Sequence, residues 1–131
     1  KNPILILINA IILTFIILIN NISIIHARSR APAWSCLIAS KITSRKFVTT
    51  FHGTYNFKSN LKKLYNSVMV RSDLIIAGSN FIFSHIKENY SNYLNQKKKL
   101  LVLFRGINID YFDLIKKLET EEKKLLKQWE I

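Results

Sequence analysis

The stretch Asp73-Leu-Ile-Ile-Ala-Gly-Ser-Asn-Phe-Ile-Phe-Ser-His-Ile-Lys-Glu-Asn-Tyr90 contains both building blocks of the predicted fold. It begins with a short apolar run and then shows helical periodicity from about Asn80 to Tyr90, with Ile82, Ile86 and Tyr90 on one side. Ser79 precedes the helical part, where a hydroxyl can accept a hydrogen bond from a free backbone N–H. The stretch therefore predicts a buried strand followed by a helix.

The same alternation continues on both sides of this stretch. Apolar runs at 22–25, 46–50 and 99–104 predict three more strands, and helical patterns are found at 32–42, 61–68 and about 114–129. Short apolar runs that alternate with helices are typical of a parallel sheet covered on both faces. We predict an α/β fold with a Rossmann-like, doubly wound parallel sheet. In two helices we expect particular side chains to face inward: Leu61, Leu64, Tyr65 and Val68 in the second, with Asn66 outward, and Leu118, Leu125 and Trp129 in the last.

The N-terminal stretch from Ile4 to Ile19 is apolar except for Asn9 and Thr14. A helix that crosses a membrane needs about 20 apolar residues, and this run is shorter. We predict a buried or half-buried helix, and a membrane anchor stays open as the alternative.

The composition indicates one globular domain with a large positive charge. The chain has 131 residues, of which 49% are hydrophobic, and a formal net charge of +12. Such a charge requires anionic partners, such as a phosphorylated ligand, a membrane surface or nucleic acid. The single cysteine, Cys36, excludes an internal disulfide, and its helical setting predicts a small buried side chain.

Polar residues follow each predicted strand, where ligands of open parallel sheets bind. The four segments lie at 26–30, 51–54, 78–80 and 105–108, and they include all three glycines. Arg28 and Arg30 precede a helix that has Pro32 in its first turn, a favourable setting for a carboxylate or a phosphate. His52 lies beside Gly53, which permits close backbone approach to a ligand. His26 also ends a predicted strand, and for it a core residue is the alternative interpretation. The histidines, the cysteine and the carboxylates do not have metal-ligand spacing, so we predict no metal.

Five segments of the chain are similar to the N-terminal domain of family-4 glycosyltransferases with the GT-B fold. They are Ile25-His-Ala-Arg-Ser-Arg-Ala-Pro-Ala-Trp34, Thr49-Thr-Phe-His-Gly53, Leu64-Tyr-Asn-Ser-Val-Met69, Ala77-Gly-Ser-Asn-Phe81 and Arg105-Gly-Ile-Asn-Ile-Asp110. The arginine-rich segment with its Pro and Trp is the most specific. The resemblance is to bacterial enzymes that build lipopolysaccharide or related surface glycans.

The resemblance implies two Rossmann-like domains facing across a cleft, and a retaining reaction that needs no metal or other cofactor. His52 corresponds to the histidine that approaches the transferred sugar, and we predict it as the catalytic residue. We predict binding of the acceptor or the sugar by seven further residues: Arg28, Ser29, Arg30, Gly53, Ser79, Asn80 and Arg105.

The resemblance also predicts how the chain divides. Residues 1–113 would form part of the N-terminal domain, and residues 114–131 a helix that leads toward a C-terminal donor-binding domain. We expect the family's first strand and its glycine-rich loop before residue 1, and the donor domain after residue 131. The partners would be a nucleotide-sugar and a glycan or lipid-linked acceptor, in the cytoplasm or at the cytoplasmic face of the inner membrane. We expect the chain to be inactive by itself.

The sequence leaves two other functions as alternatives, a basic binding module and a dinucleotide-dependent enzyme. A non-catalytic basic module could bind an anionic membrane surface or nucleic acid through its lysines, which include Lys62, Lys63 and Lys97–Lys99. These lysines are scattered over several helices and no nucleic-acid module is visible, which disfavours nucleic acid. A dinucleotide-dependent enzyme is disfavoured because the sequence lacks G-x-G-x-x-G.

Overall fold

A computed structural model of the chain describes residues 2–55, 59–94, 99–106 and 122–129. Four helices and four strands are bounded within these residues: α1 Pro3–Ile19, β1 Ile24–Ala27, α2 Arg30–Thr43, β2 Lys46–Phe51, α3 Asn60–Asn66, β3 Leu74–Ala77, α4 Asn80–Tyr90 and β4 Lys99–Val102. Short 3₁₀ turns, Ser67–Val70 and Ser91–Tyr93, follow α3 and α4. Residues 122–128 are helical.

The strands form one parallel sheet in the order β1-β2-β3-β4. Ile25 pairs with Phe47, Thr49 with Ile75, and Ala77 with Val102. The predicted α/β, Rossmann-like parallel sheet is therefore confirmed. The predicted strand bounds were wrong by one to two residues, since β1 ends at Ala27 and places His26 inside the strand.

The described helices bury one face of the sheet. Residues that point to this face, such as Phe47, Phe51 and Ile75, are fully buried. Those on the other face are half-buried or exposed, as shown by Ile24 at 61% and Leu101 at 51%. Strands that succeed one another in one direction, joined by right-handed crossovers, place the connecting helices on the same side. From the continuous apolar runs we predicted helices on both faces of the sheet. The described helices cover one face.

Helix α1 matches the helix predicted at the N-terminal apolar stretch. It packs along α2, where the Ser35 hydroxyl donates a hydrogen bond to the carbonyl of Ile6 at 3.0 Å. Ala10 and Ile17 are buried, while most of its large apolar side chains are exposed, among them Phe15 at 61% and Ile19 at 80%. The helix is thus buried along one stripe only. None of the described helices is long and apolar enough to span a membrane.

The inward face predicted for the helix at 61–68 was partly wrong. Leu61 is 80% exposed and Leu64 is 48% exposed, whereas Asn66, expected to face outward, is buried. The α-helix ends at Asn66 and continues as a 3₁₀ turn, which has three residues per turn rather than 3.6. Five consecutive residues, 66–70, are buried, so the chain enters the core here as a whole segment and no longer presents one helical face to it.

Other local predictions agree with the structure. Ser79 caps α4 by accepting a hydrogen bond from the backbone N–H of Ile82 at 3.2 Å. Cys36 is buried in α2, and desolvation raises the pKa of its thiol. The inward face predicted for the last helix was wrong where the structure describes it, since Leu125 is 45% exposed and Trp129 is 66% exposed. Leu118 lies outside the described residues. The predicted division between residues 113 and 114 also falls outside them.

A buried polar pair stabilises the connection that enters β3. The hydroxyl of Thr49, on the buried face of β2, donates to the carbonyl of Met69 at 2.6 Å and lies 2.7 Å from the Ser72 hydroxyl. Nearby, the backbone N–H of Phe47 donates to the Asp73 carboxylate at 2.9 Å. These contacts hold the 3₁₀ turn and the start of β3 against β2.

Replacing Thr49 by Val tests this connection. The substitution keeps the side-chain shape but leaves the buried Met69 carbonyl without its donor, which we expect to lower the free energy of unfolding by about 1–3 kcal/mol. The matched control is Thr50→Val, because Thr50 points to the less buried face and bonds to His26 there. We expect the control to change stability by less than about 0.5 kcal/mol. Equal losses in the two variants, measured by urea unfolding, would contradict the assignment.

Candidate functional site at the carboxyl edge of the sheet

Three side chains from three strand ends meet at the carboxyl edge of the sheet. Arg28 follows β1, His52 follows β2 and Arg105 follows β4. The Nε of Arg28 donates to Nε2 of His52 at 2.9 Å, and a terminal guanidinium nitrogen of Arg105 contacts Nδ1 of the same ring. We call Arg28, His52 and Arg105 the rim cluster. Because β3 lies between β2 and β4, Arg105 reaches His52 past the end of β3.

The rim cluster favours the neutral form of its histidine. The pKa of His52 is lowered, first by partial desolvation and then by the electrostatic effects of Arg105, Arg28 and His26. A neutral imidazole has one nitrogen that donates and one that accepts a hydrogen bond. His52 can therefore position a polar ligand without adding a positive charge of its own.

Arg30, predicted beside Arg28, is directed elsewhere. It is half-buried, and it donates to the side-chain oxygen of Asn66 at 2.8 Å while its guanidinium lies 4.6 Å from the centre of the Tyr55 ring. Close by, the Trp34 indole donates to the backbone carbonyl of Tyr65 at 3.1 Å. The arginine-rich segment thus provides one exposed guanidinium for the edge and one that joins α2 to α3.

The predicted serines occupy the starts of two helices. Ser29 is the exposed N-cap of α2, and its side chain makes no capping hydrogen bond. The Ser79 hydroxyl is engaged in capping α4, and Asn80 is the exposed first residue of that helix. Among the described contacts, none joins Ser79 or Asn80 to the rim cluster.

Gly53 has no structural need to be glycine in this fold. It does not adopt a positive φ, and a Cβ built on it would have no neighbour within 4 Å. The open space lies directly beside His52, so its use, if any, is for a ligand. The predicted roles of Gly53 and of the other site residues stay predictions.

Sequence reasoning missed three residues around this site. His26 is exposed on the sheet face, with Nε2 2.8 Å from the Thr50 hydroxyl, and is not a core residue. Asn66 and Tyr55 hold Arg30. Local periodicity carries no signal for these contacts, because each joins residues more than twenty positions apart. Within the described ranges, no three or more His, Cys, Asp or Glu side chains form a group that could hold a metal ion.

Comparison with known proteins identifies the class of protein to which this edge belongs. The sequence profile of Glycosyltransferase Family 4 matches residues 1–111. The chain belongs to glycosyltransferase family 4.

One solved structure with a similar chain is that of a glycosyltransferase from Rickettsia africae ESF-5. It is 43% identical to this chain, with a TM-score of 0.75, and the match covers 99% of this chain and 34% of that one. The chain therefore spans about a third of the length of that glycosyltransferase. No curated protein matches the chain significantly.

Substitutions of the two arginines, Arg28 and Arg30, should have different effects on stability. Arg30→Ala removes one hydrogen-bond partner of the buried Asn66 side chain and the contact with the Tyr55 ring, and we expect the free energy of unfolding to fall by about 1–2 kcal/mol. Arg28 is exposed, so Arg28→Ala should change it by less than about 0.5 kcal/mol. Thermal or urea unfolding of the two variants checks this, and equal effects would show that Arg30 is not part of the packing.

Proposed function

We propose that the chain forms the acceptor-side, N-terminal part of a retaining glycosyltransferase. The enzyme would transfer a sugar from a nucleotide-sugar to a glycan or lipid-linked acceptor, in bacterial lipopolysaccharide or related surface-glycan synthesis. The convergence of Arg28 and Arg105 on His52 carries this proposal, since it occurs at the edge of a parallel sheet where substrates bind. Membership of family 4 supports the reaction class.

In this proposal His52 contacts the transferred sugar. Its lowered pKa keeps the ring neutral at physiological pH, so it can hydrogen-bond a sugar hydroxyl without placing a charge beside the reacting carbon. Transition states of glycosyl transfer develop positive charge at that carbon, so a neutral ring adds no repulsion to that of the two guanidinium groups beside it. Gly53 would leave room for the sugar, and Ser29, Ser79 and Asn80 would line the acceptor side.

The donor would be bound mainly outside this chain. We propose that residues 1–113 belong to the N-terminal domain and that residues 114–131 lead toward a donor-binding domain. The solved relative is about three times as long as the matched region, which leaves ample length for such a domain. The chain by itself would then lack most of the groups that stabilise the leaving nucleotide, and would not catalyse transfer. We place the enzyme in the cytoplasm or at the cytoplasmic face of the inner membrane.

A chimera tests this function. The matched segment of the Rickettsia africae glycosyltransferase is replaced by these 131 residues, and release of nucleotide from a panel of nucleotide-sugars is measured with lipid and glycan acceptors. We expect the chimera to be active and the isolated chain to be inactive. His52→Ala in the chimera should lower kcat by roughly a hundredfold.

The matched control is His85→Gln, because His85 lies on α4, where it contacts Asn89. Its activity should equal that of the parent chimera. Transfer by the isolated chain, or an active His52→Ala chimera, would contradict the proposal.

A second proposal concerns membrane contact through α1. Apolar side chains that are largely exposed form a stripe on this helix, including Ile8, Phe15 and Ile19. An apolar helix face beside a strongly basic protein suits the interface of an anionic membrane. Such contact would bring the enzyme to a lipid-linked acceptor.

Liposome co-sedimentation tests this contact. Phe15→Ser/Ile19→Ser should weaken binding roughly tenfold, because each side chain would insert apolar surface into the interface. The control Leu61→Ser/Phe81→Ser removes a matched aliphatic and aromatic pair from other helices, at 80% and 72% exposure against 80% for Ile19 and 61% for Phe15. Vesicles with anionic phosphatidylglycerol should bind better than neutral ones. Equal binding by the two double variants would refute α1 as the contact.

A further inference from the structure

The rim cluster has more hydrogen-bond donors than acceptors. A guanidinium group only donates, and a neutral imidazole accepts at one nitrogen only. Guanidinium groups nevertheless contact both ring nitrogens of His52. In one of these contacts a guanidinium N–H therefore faces the N–H of the ring. A ligand oxygen with several lone pairs would accept hydrogen bonds from these surplus donors.

The charge of the cluster is also uncompensated within the described residues. Neither Arg28 nor Arg105 forms an ion pair there, and both bond to His52 instead. Among the described carboxylates, Asp73 precedes β3 and Glu88 lies near the end of α4, which places these two at the opposite edge of the sheet, and Glu122 is exposed on the last helix. Two guanidinium groups separated by one imidazole ring suit an anion that presents several oxygens.

The first turn of α2 adds to the same positive region. Ser29, the N-cap, follows Arg28 directly, and its hydroxyl makes no capping bond, unlike those of Ser59 and Ser79. Free N–H groups and the helix dipole favour an anion at such a position. The hydroxyl of Ser29 is free to donate as well.

We propose that the rim cluster, together with Ser29, binds a phosphate or diphosphate group of a substrate. Phosphate oxygens accept hydrogen bonds from guanidinium forks and from the imidazole N–H, which resolves the surplus of donors. The inference rests on the proposed glycosyltransferase function and specifies the chemistry of one substrate at that site. The phosphate belongs either to the nucleotide-sugar donor or to a lipid phosphate that serves as acceptor.

The surroundings make a lipid phosphate a realistic source. A cavity of about 470 Å³ lies between α1 and the start of α2, and its lining includes Leu5, Ile12, Leu13 and Pro32. Pro32 is four residues after Arg28, so their backbones are at most about 14 Å apart. An isoprenyl chain attached to the bound phosphate could reach this cavity.

Histidine NMR of the full chain tests the proposal. The chain has three histidines, so each ring signal can be assigned by substitution. Inorganic pyrophosphate should shift the His52 signal and raise its pKa, because a bound anion offsets the arginine charges that lower it. The signal of His85 on α4 should not move. A dissociation constant above roughly 10 mM would be too weak for a substrate site. A His52 signal that stays unchanged at about 10 mM pyrophosphate would therefore overturn the proposal.

Variants locate the binding. Arg28→Gln and Arg105→Gln should each weaken pyrophosphate binding about tenfold, the loss of one charge-assisted hydrogen bond. The matched control is Arg45→Gln, because Arg45 bonds to Asn21 at the opposite edge of the sheet. Equal weakening in all three variants would show a general charge effect and refute the site. The His85 signal reports whether each variant is folded.

Two further ligands identify the source of the phosphate. Cluster-dependent binding of UDP or GDP that is tighter than that of pyrophosphate supports the site and assigns it to the donor. Tighter cluster-dependent binding of farnesyl phosphate supports it and assigns it to a lipid acceptor. These measurements need no sugar transfer. Phosphate binding with an inactive chimera would therefore reject the proposed function, whereas an active chimera without phosphate binding would reject this inference alone.

Discussion

Four parallel strands, placed side by side in chain order, require every strand to end at the same edge of the sheet. The chain between two neighbouring strands must then return along a face of the sheet to its starting edge. The loops that follow the strands lie side by side at the other edge. This constraint brings Arg28, His52 and Arg105 together, although they are separated along the chain by whole strand–helix units. The fold thus creates the site by aligning strand ends, and the helices contribute the starts of α2 and α4 to the same edge.

The resulting candidate site is polar and basic, and contacts inside the domain fix the start of the helix beside it. Arg30 is drawn into the domain by Asn66 and Tyr55, which fixes the start of α2, while Arg28 stays exposed for the edge. His52 lies between two guanidinium groups that offer more donors than it can accept, and desolvation together with their charges lowers its pKa. An excess of donors suits a ligand that presents several oxygens. Nucleotide-sugars, lipid phosphates and sugars all satisfy that requirement.

The same sequential order of strands leaves apolar surface exposed. The described helices cover the face with Phe47, Phe51 and Ile75, and the other face keeps Ile24 and Leu101 largely accessible. Helix α1 buries only one stripe against α2. On α1 the exposed apolar side chains are numerous and lie on one helix, and large exposed apolar patches mark contact surfaces. For α1 we propose a membrane, whose interface accepts an apolar helix face without requiring a matching protein surface.

The sequence by itself determined the alternation of strands and helices, the N-cap at Ser79, the buried stripe of α4 and the polar residues at the strand ends. These depend on local periodicity and on turn chemistry, which neighbours along the chain define. Only the tertiary structure decided that Asn66 is buried and that His26 is exposed. It also decided that Arg28 and Arg30 make different contacts and that the described helices cover one sheet face. Each of these outcomes depends on groups brought together from distant positions, or on the order of strands in the sheet, and neither leaves a trace in the local pattern of residues.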